Sequence, residues 1–177
     1  VVSDDTKECV VIDAGNYSPR EDAALTAYFN ENGLSPVMAL NTHGHVDHLL
    51  GVNYLKNTYD VPFAVHGDDK FLVDSCATHG QLYGFNVSGV PVVDVDLKGQ
   101  DVVSFGKTQL RCIHTPGHTP GHVCFYNEEE KVLFSGDTLF KESIGRTDLP
   151  GGDYSWIMKS ILEKLLPLGG DVTFYQG

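Results

Sequence analysis

The stretch NTHGHVDHLLG, residues 41–51, sets His43, His45, Asp47 and His48 within six positions. Neutral imidazole is the commonest nitrogen ligand for a transition metal, and carboxylate is the natural oxygen ligand beside it. One loop can therefore supply four donor groups. Composition alone would produce such a run with odds on the order of one in a thousand. His43 and His45, two apart, can face one cation; Asp47 and His48, beyond the turn, can face a second. Two later segments add donors: IHTPGHTPGH carries His114, His118 and His122, and LFSGDTLF presents Asp137 just after an apolar run. His118, held between two Pro-Gly pairs, is the loop ligand among these. His114 lies inside an alternating pattern and His122 opens the next one, so both are expected to be hydrogen-bonded structural residues. His66 and His79 are read as surface or structural.

Donors this far apart in the chain meet only if strands carry them to a common edge. CVVIDAG (9–15) reads as a buried strand ending in a loop. SPREDAALTAYFNENG then offers Ser18 as N-cap, Pro19 at N1, Glu21 at N3 and Gly33 as a stop, which predicts a helix. PVMALNTH returns as a strand, placing the histidine loop at a strand-to-helix junction, and LLGVNYLKNTY is helical as far as Pro62. VPFAVH is a further strand, GDDKFLVDSCATHG a single helix, and residues 80–91 a loop. From residue 92 the apolar period shortens from about 3.6 to 2. PVVDVDL, DVVSFG, KTQLRCIHT, HVCFYN and KVLFSGD thus predict an antiparallel meander, with EEE at 128–130 as a solvated hairpin tip. DYSWIMKSILEKLLPLGG (153–170) reads as an amphipathic helix capped by Asp153, with Trp156, Ile157, Ile161 and Leu165 on one face; DVTFY is a last strand. This order fits a layered α/β sandwich, and no glycine-rich phosphate loop accompanies any strand.

The 177 residues suffice for one substantial core, so one domain spanning 1–177 is expected. A net charge of −12, with no run of Lys or Arg, argues against a nucleic-acid partner. Divalent cations would offset part of that charge locally. Cys9, Cys76, Cys112 and Cys124 form no C-x-x-C pair and sit in apolar runs, the pattern of buried free thiols in a reducing compartment. No apolar run approaches the ~20 residues needed to cross a bilayer, and there is no charged-then-apolar leader. A cytoplasmic protein with no membrane partner is expected. The opening VVSDD and the ending DVTFYQG read as a domain lacking its first strand and its C-terminal segment.

Together and in this order, THGHVDH, TPGHTPGH and SGDTLF are similar to the motifs of the metallo-β-lactamase superfamily. GRTDLPGGD (145–153) resembles its small glyoxalase II-like members, the hydroxyacylglutathione hydrolases. The resemblance covers nearly the whole chain. It implies a four-layer αββα sandwich with two divalent metal ions at one edge: His43, His45 and His118 on the first, Asp47 and His48 on the second, and Asp137 bridging them. Asp13, in IDAG, matches a family aspartate that orients the metal loop from beneath. Arg146, in IGRTD, resembles the basic residue that reaches the glutathione part of the substrate. The family adds a histidine ligand in a Gly-His-Gly turn after the last strand; here it would follow Gly177. The helical extension that grips glutathione in larger members has no counterpart in these residues.

The resemblance further implies a metal-dependent hydrolase of a small-molecule thioester such as S-lactoylglutathione, acting through a metal-bridging hydroxide. Two cations sharing Asp137 would lower the pKa of the water between them from about 15.7 toward about 7. Asp47 would bind metal and orient that water, which makes Asp47 and Asp137 the catalytic carboxylates. Zinc suits His and Asp ligands by default, and iron and manganese accept the same set. Three other readings share the motifs: a persulfide dioxygenase with a single iron, a lactonase, and a non-catalytic metal-binding scaffold. A β-lactamase of the best-known type would place Cys where Asp137 stands, and a tRNA-processing nuclease would need a basic surface.

Overall fold

The computed structural model describes residues 1–87 and 89–177. Strands β1 (Glu8–Ile12), β2 (Ser35–Leu40), β3 (Phe63–Val65) and β4 (Val95–Asp96) form a parallel sheet in that order. Helices α1 (Pro19–Asn32), α2 (Val52–Tyr59), α3 (Lys70–Asp74) and α4 (Cys76–Tyr83) lie in the connections. Strands β5 (Val102–Phe105), β6 (Thr108–His114), β7 (Val123–Asn127) and β8 (Val132–Gly136) then run antiparallel. A small hairpin, β9 (Leu139–Phe140) and β10 (Ser143–Ile144), precedes α5 (Tyr154–Ser160). The last strand, β11 (Thr173–Gln176), joins the second sheet parallel to β8, giving the order β11-β8-β7-β6-β5.

Strand alternation sorts the apolar side chains into three cores. Along β1, Cys9 faces the helices and Val10 the other sheet; Ala39 and Leu40 of β2 divide the same way. From β3, Phe63 and Val65 point to the helices and Ala64 points between the sheets. Val123 and Phe125 of β7 meet Val10, Leu40 and Ala64 there, whereas Cys124 and Tyr126 turn away and pack on Ile157, Ile161 and Leu165. Phe63 and Phe125 are fully buried, each worth roughly 1.5–3 kcal/mol of transfer free energy. Helix, sheet, sheet, helix is the four-layer αββα sandwich expected.

Helix α1 begins and ends where its residues predict. Ser18 Oγ accepts from Glu21 N, the Glu21 carboxylate accepts from Ser18 N at 2.8 Å, and Gly33 closes the helix at φ 62°. Elsewhere the structure corrects the prediction. PVVDVDL does not enter the meander; only β4 forms, and it pairs with β3. Asp94 pins it there, accepting from Phe63 N at 2.7 Å and pairing with Lys56. The single helix predicted after β3 is two, broken at Ser75, whose Oγ bonds back to Phe71 O at 2.7 Å and Leu72 O at 3.1 Å. Helix α4 continues to Tyr83, into the predicted loop, and Ser88 of that loop lies outside the described residues.

Trp156 is 57% exposed and not on the buried face of α5. The apolar stripe is Ile157, Ile161 and Leu165 at steps of four, and Trp156 stands about 100° off it. Beyond α5 the chain widens into a π turn over Ile161–Leu165 and tightens at Leu166–Leu168. Among the described residues no helix is long and apolar enough to cross a membrane. All four cysteines are free, and burial pushes the Cys124 thiol up to about 12.

Candidate metal centre

Strands from both sheets deliver the predicted donors to one edge. Asp13 follows β1, residues 41–48 follow β2, residues 115–122 link β6 to β7, Asp137 follows β8, and Gly177 follows β11. The sheets are tied across this edge by Val123 N donating to Thr42 O at 2.8 Å.

His43, His45 and His118 bring donor atoms within 4.8 Å of one another. Their ring planes are nearly mutually perpendicular, at 88° for His43 and His45, 80° for His43 and His118, and 85° for His45 and His118. An imidazole lone pair lies in its ring plane, and three crossed planes share one point. A single cation can therefore lie in the plane of all three rings. His45 Nδ1 already sits 2.9 Å from His118 Nε2.

The outer nitrogens are anchored. Thr42 Oγ1 donates to Asp13 Oδ2 at 2.7 Å, so it accepts from His43 Nδ1 at 2.9 Å. His118 Nδ1 donates to the Arg146 carbonyl at 2.7 Å. Both bonds fix the tautomer that leaves Nε2 as a lone pair. His43 is fully buried, yet its Nε2 has no hydrogen-bond partner, an orphan that a bound ion would account for. Burial, and then the surrounding histidines, hold His43 well below the usual imidazole range. Burial, and then His118, bring His45 down to about 3. Both rings are neutral at physiological pH, the form that ligates. Orphaned nitrogen, crossed rings and neutral imidazoles fit a cation of the zinc or iron class.

His48 and Asp137 make the other side. His48 Nδ1 donates to Asp13 Oδ2 at 3.2 Å, and its Nε2 faces Asp137 Oδ1 at 3.5 Å and Asp47 Oδ2 at 3.8 Å. The second oxygen of Asp137 lies 3.5 Å from His118 Nε2, so this carboxylate stands between the two groups. Burial works against charge on His48, but the Asp13 bond and the charges of Asp13, Asp137 and Asp47 outweigh it and push its pKa up to about 9. Burial likewise raises Asp137, with His48 and His118 opposing. The Asp47 side chain is 62% exposed, at the mouth of the cluster.

Asp13 lies beneath the loop, accepting from Thr42 N and Oγ1 at 2.7 Å each. His122 is structural and fully buried: its Nδ1 meets the Thr115 and Thr138 hydroxyls at 2.9 and 3.0 Å, and its Nε2 accepts from Asp137 N at 3.1 Å. Arg146 reaches the cluster only through its carbonyl; its guanidinium is exposed and bonds Asp148 at 2.7 and 2.8 Å. His79 is half-buried on α4, and His66 is buried and stacked on His114. Gly177 N donates to Gly136 O at 3.0 Å, and a Cβ on Gly177 would collide with Asp137 Oδ1. Sequence reasoning missed Asn41, whose Nδ2 holds His48 O at 2.7 Å, and the buried Asp69. Both follow the carboxyl end of an apolar strand, the placement that marks Asp13.

The family model of the Metallo-beta-lactamase superfamily matches residues 1–177. Hydroxyacylglutathione hydrolase GloC of Haemophilus influenzae is 35% identical over 184 residues, covering 100% of this chain and 82% of that protein. The BLEG-1 B3 metallo-beta-lactamase structure superposes with a TM-score of 0.87 at 34% identity, over 100% of this chain and 83% of the other. TTHA1623, crystallised in a di-iron-bound form, gives 0.83 at 36% identity, over 95% and 80%. The chain belongs to the metallo-beta-lactamase superfamily, whose members bind divalent metals.

Proposed function

We propose that this protein is a metal-dependent thioester hydrolase of the glyoxalase II-like kind, with S-lactoylglutathione as the type of substrate. The observation that carries the reading is the placement of Asp137, one oxygen 3.5 Å from His48 and the other 3.5 Å from His118. That arrangement suits a carboxylate shared by two cations, with His43, His45 and His118 on one and Asp47 and His48 on the other. Divalent cations bound there would supply a Lewis acid for the thioester carbonyl and a nucleophilic water at neutral pH.

The chain's own groups do the rest. Asp13, Thr42 and the Arg146 carbonyl hold the imidazoles in register, and His122 holds the Asp137 backbone. Exposed Asp47, with Oδ2 turned to His48, can accept the proton of the attacking water at that oxygen. The departing thiolate is a good leaving group and needs no acid. Arg146, once released from Asp148, offers a cation to a glutathione carboxylate. The likeness to GloC supports this substrate class. Zinc is the proposed metal from the donor set, with iron the rival that the di-iron relative raises.

A second reading, oxidation of a persulfide at a single iron, draws on the three-imidazole group, whose donor atoms lie within 4.8 Å of one another. The test is the full chain reconstituted with zinc, iron or manganese and offered thioesters, lactones, β-lactams and glutathione persulfide under an oxygen electrode. S-lactoylglutathione should show the highest kcat/KM, by about tenfold or more. Oxygen uptake with persulfide and no thioester turnover would replace the hydrolase reading. Arg146→Ala should raise KM for the glutathione thioester several-fold with kcat and metal content unchanged.

A further inference from the structure

Asp69 closes the 3-10 turn that follows β3 and is fully buried. Its carboxylate has three partners, all uncharged. Oδ2 accepts from Gly44 N at 2.9 Å and from Thr119 Oγ1 at 2.6 Å, and Oδ1 accepts from Gly121 N at 2.6 Å. Gly44 lies between His43 and His45, while Thr119 follows His118 and Gly121 precedes His122. One side chain, from a third part of the chain, thus grips the backbone between two of the clustered imidazoles and, through the Thr119 hydroxyl and Gly121 N, the loop that carries the third. Asp69 is itself fixed to β3, its N–H donating to His66 O at 2.9 Å.

The glycines are part of the same arrangement. A Cβ on Gly44 would stand 2.9 Å from Asp69 O and 2.9 Å from Leu72 Cβ; one on Gly121 would stand 2.8 Å from Asp69 N, Cγ and Oδ1. Both loops approach Asp69 closely only because neither glycine carries a side chain there. A buried carboxylate with no cationic partner is costly, and here three donors from two loops offset that cost.

We infer that Asp69 is a positioning residue that sets the separation of the His43–His45 loop from the His118 loop, and with it the metal affinity of the three-imidazole group. This inference rests on the metal-centre reading but is independent of the thioester.

The full chain carrying Asp69→Asn or Asp69→Ala would be compared with Val73→Ala, a change in the core of α3 that lowers stability without touching the carboxylate. Metal affinity, read by competition with a chelator, should fall 10- to 100-fold in Asp69→Ala, the usual loss when a group that orients ligands is removed, and less in Asp69→Asn. In the metal-free protein, amide exchange at Gly44 and Gly121 should speed up tenfold or more in Asp69→Ala but not in Val73→Ala. An affinity within twofold of the parent, or an equal loss in Val73→Ala at matched Tm, overturns the inference. Should Asp69→Ala fail to fold, Thr119→Val removes one donor alone and must weaken binding several-fold; unchanged affinity there overturns it as well. Tight metal binding without thioester turnover in the parent would defeat the proposed substrate and leave Asp69 untouched.

Discussion

Two groups of close histidines that share no member stand apart among the described residues, and their difference shows what separates a site from packing. His66, Asp68 and His114 also bring donor atoms within 4.8 Å. There, however, the two rings are stacked within 7° of parallel, at 4.5 Å, so their in-plane lone pairs do not converge between them. Each member also has a protein partner: His66 Nδ1 accepts from Asp68 N at 3.2 Å, His114 Nε2 donates to Pro120 O at 2.9 Å, and Asp68 takes Lys98 at 2.7 Å. Around His43 the planes cross and a buried nitrogen goes unmatched. Proximity is common to both groups. Crossed planes and unmet bonding capacity belong to one.

The contrast can be broken most severely at Asp137, the carboxylate shared by the two sides of the cluster. Asp137→Ala should leave a folded protein that retains no metal after desalting and hydrolyses no thioester; full metal content with full turnover would remove the basis for the dinuclear reading. Next, His43→Ala and His114→Ala set the groups directly against each other. The first should weaken metal binding at least 100-fold, measured by calorimetry. The second should change it less than twofold while costing about 1 kcal/mol of stability, seen as a Tm lower by a few degrees.

The smallest effect is on the pH dependence of metal-free stability. His48 is raised from 6.5 to about 9, so its contribution is complete below about pH 6.5 and is lost as pH climbs through about 9. His66 is lowered, first by burial and then by His114; its contribution is present above about pH 6.5 and lost as pH falls below it. Metal-free Tm should therefore decline on both sides. His48→Gln should flatten the alkaline limb, worth on the order of 1–3 kcal/mol, and His66→Gln should remove only a part of the acid limb, to which buried His43 and His45 also contribute. Unchanged limbs in both variants would refute the assignment.

Much of the donor set is legible in the sequence because metal chemistry restricts residue type, and His43, His45, Asp47, His48, His118 and Asp137 stand beside strand ends that alternation locates. The supports are less legible. Asp69 binds amides 25 and 52 residues away, and a carboxylate after a strand looks the same whether it caps a helix or joins two loops. β4 escapes prediction for a similar reason: two residues carry no pattern, and its place is set by long-range contacts to β3 and Lys56, among them Asp94 to Phe63. Trp156 misleads because hydrophobicity alone does not fix helical phase.

The π turn after α5 bears on the His118 loop from a distance. In an α-helix a step of four residues overshoots one turn, and in the wider π-helix it falls short. Placing one after the other offsets the drift and keeps Ile157, Ile161 and Leu165 on one buried face, packed with Cys124, Tyr126 and Leu133. At the head of that face Gly117 lies so close to the Ile157 backbone that no Cβ would fit, Asp153 N donates to Gly117 O at 2.8 Å, and Ser160 Oγ donates to Pro116 O at 2.8 Å. The helix thereby works as a caliper: its register on the sheet sets the height of the loop in its jaws, and a slip of a single residue would carry the His118 ring away from the point where its plane crosses those of His43 and His45.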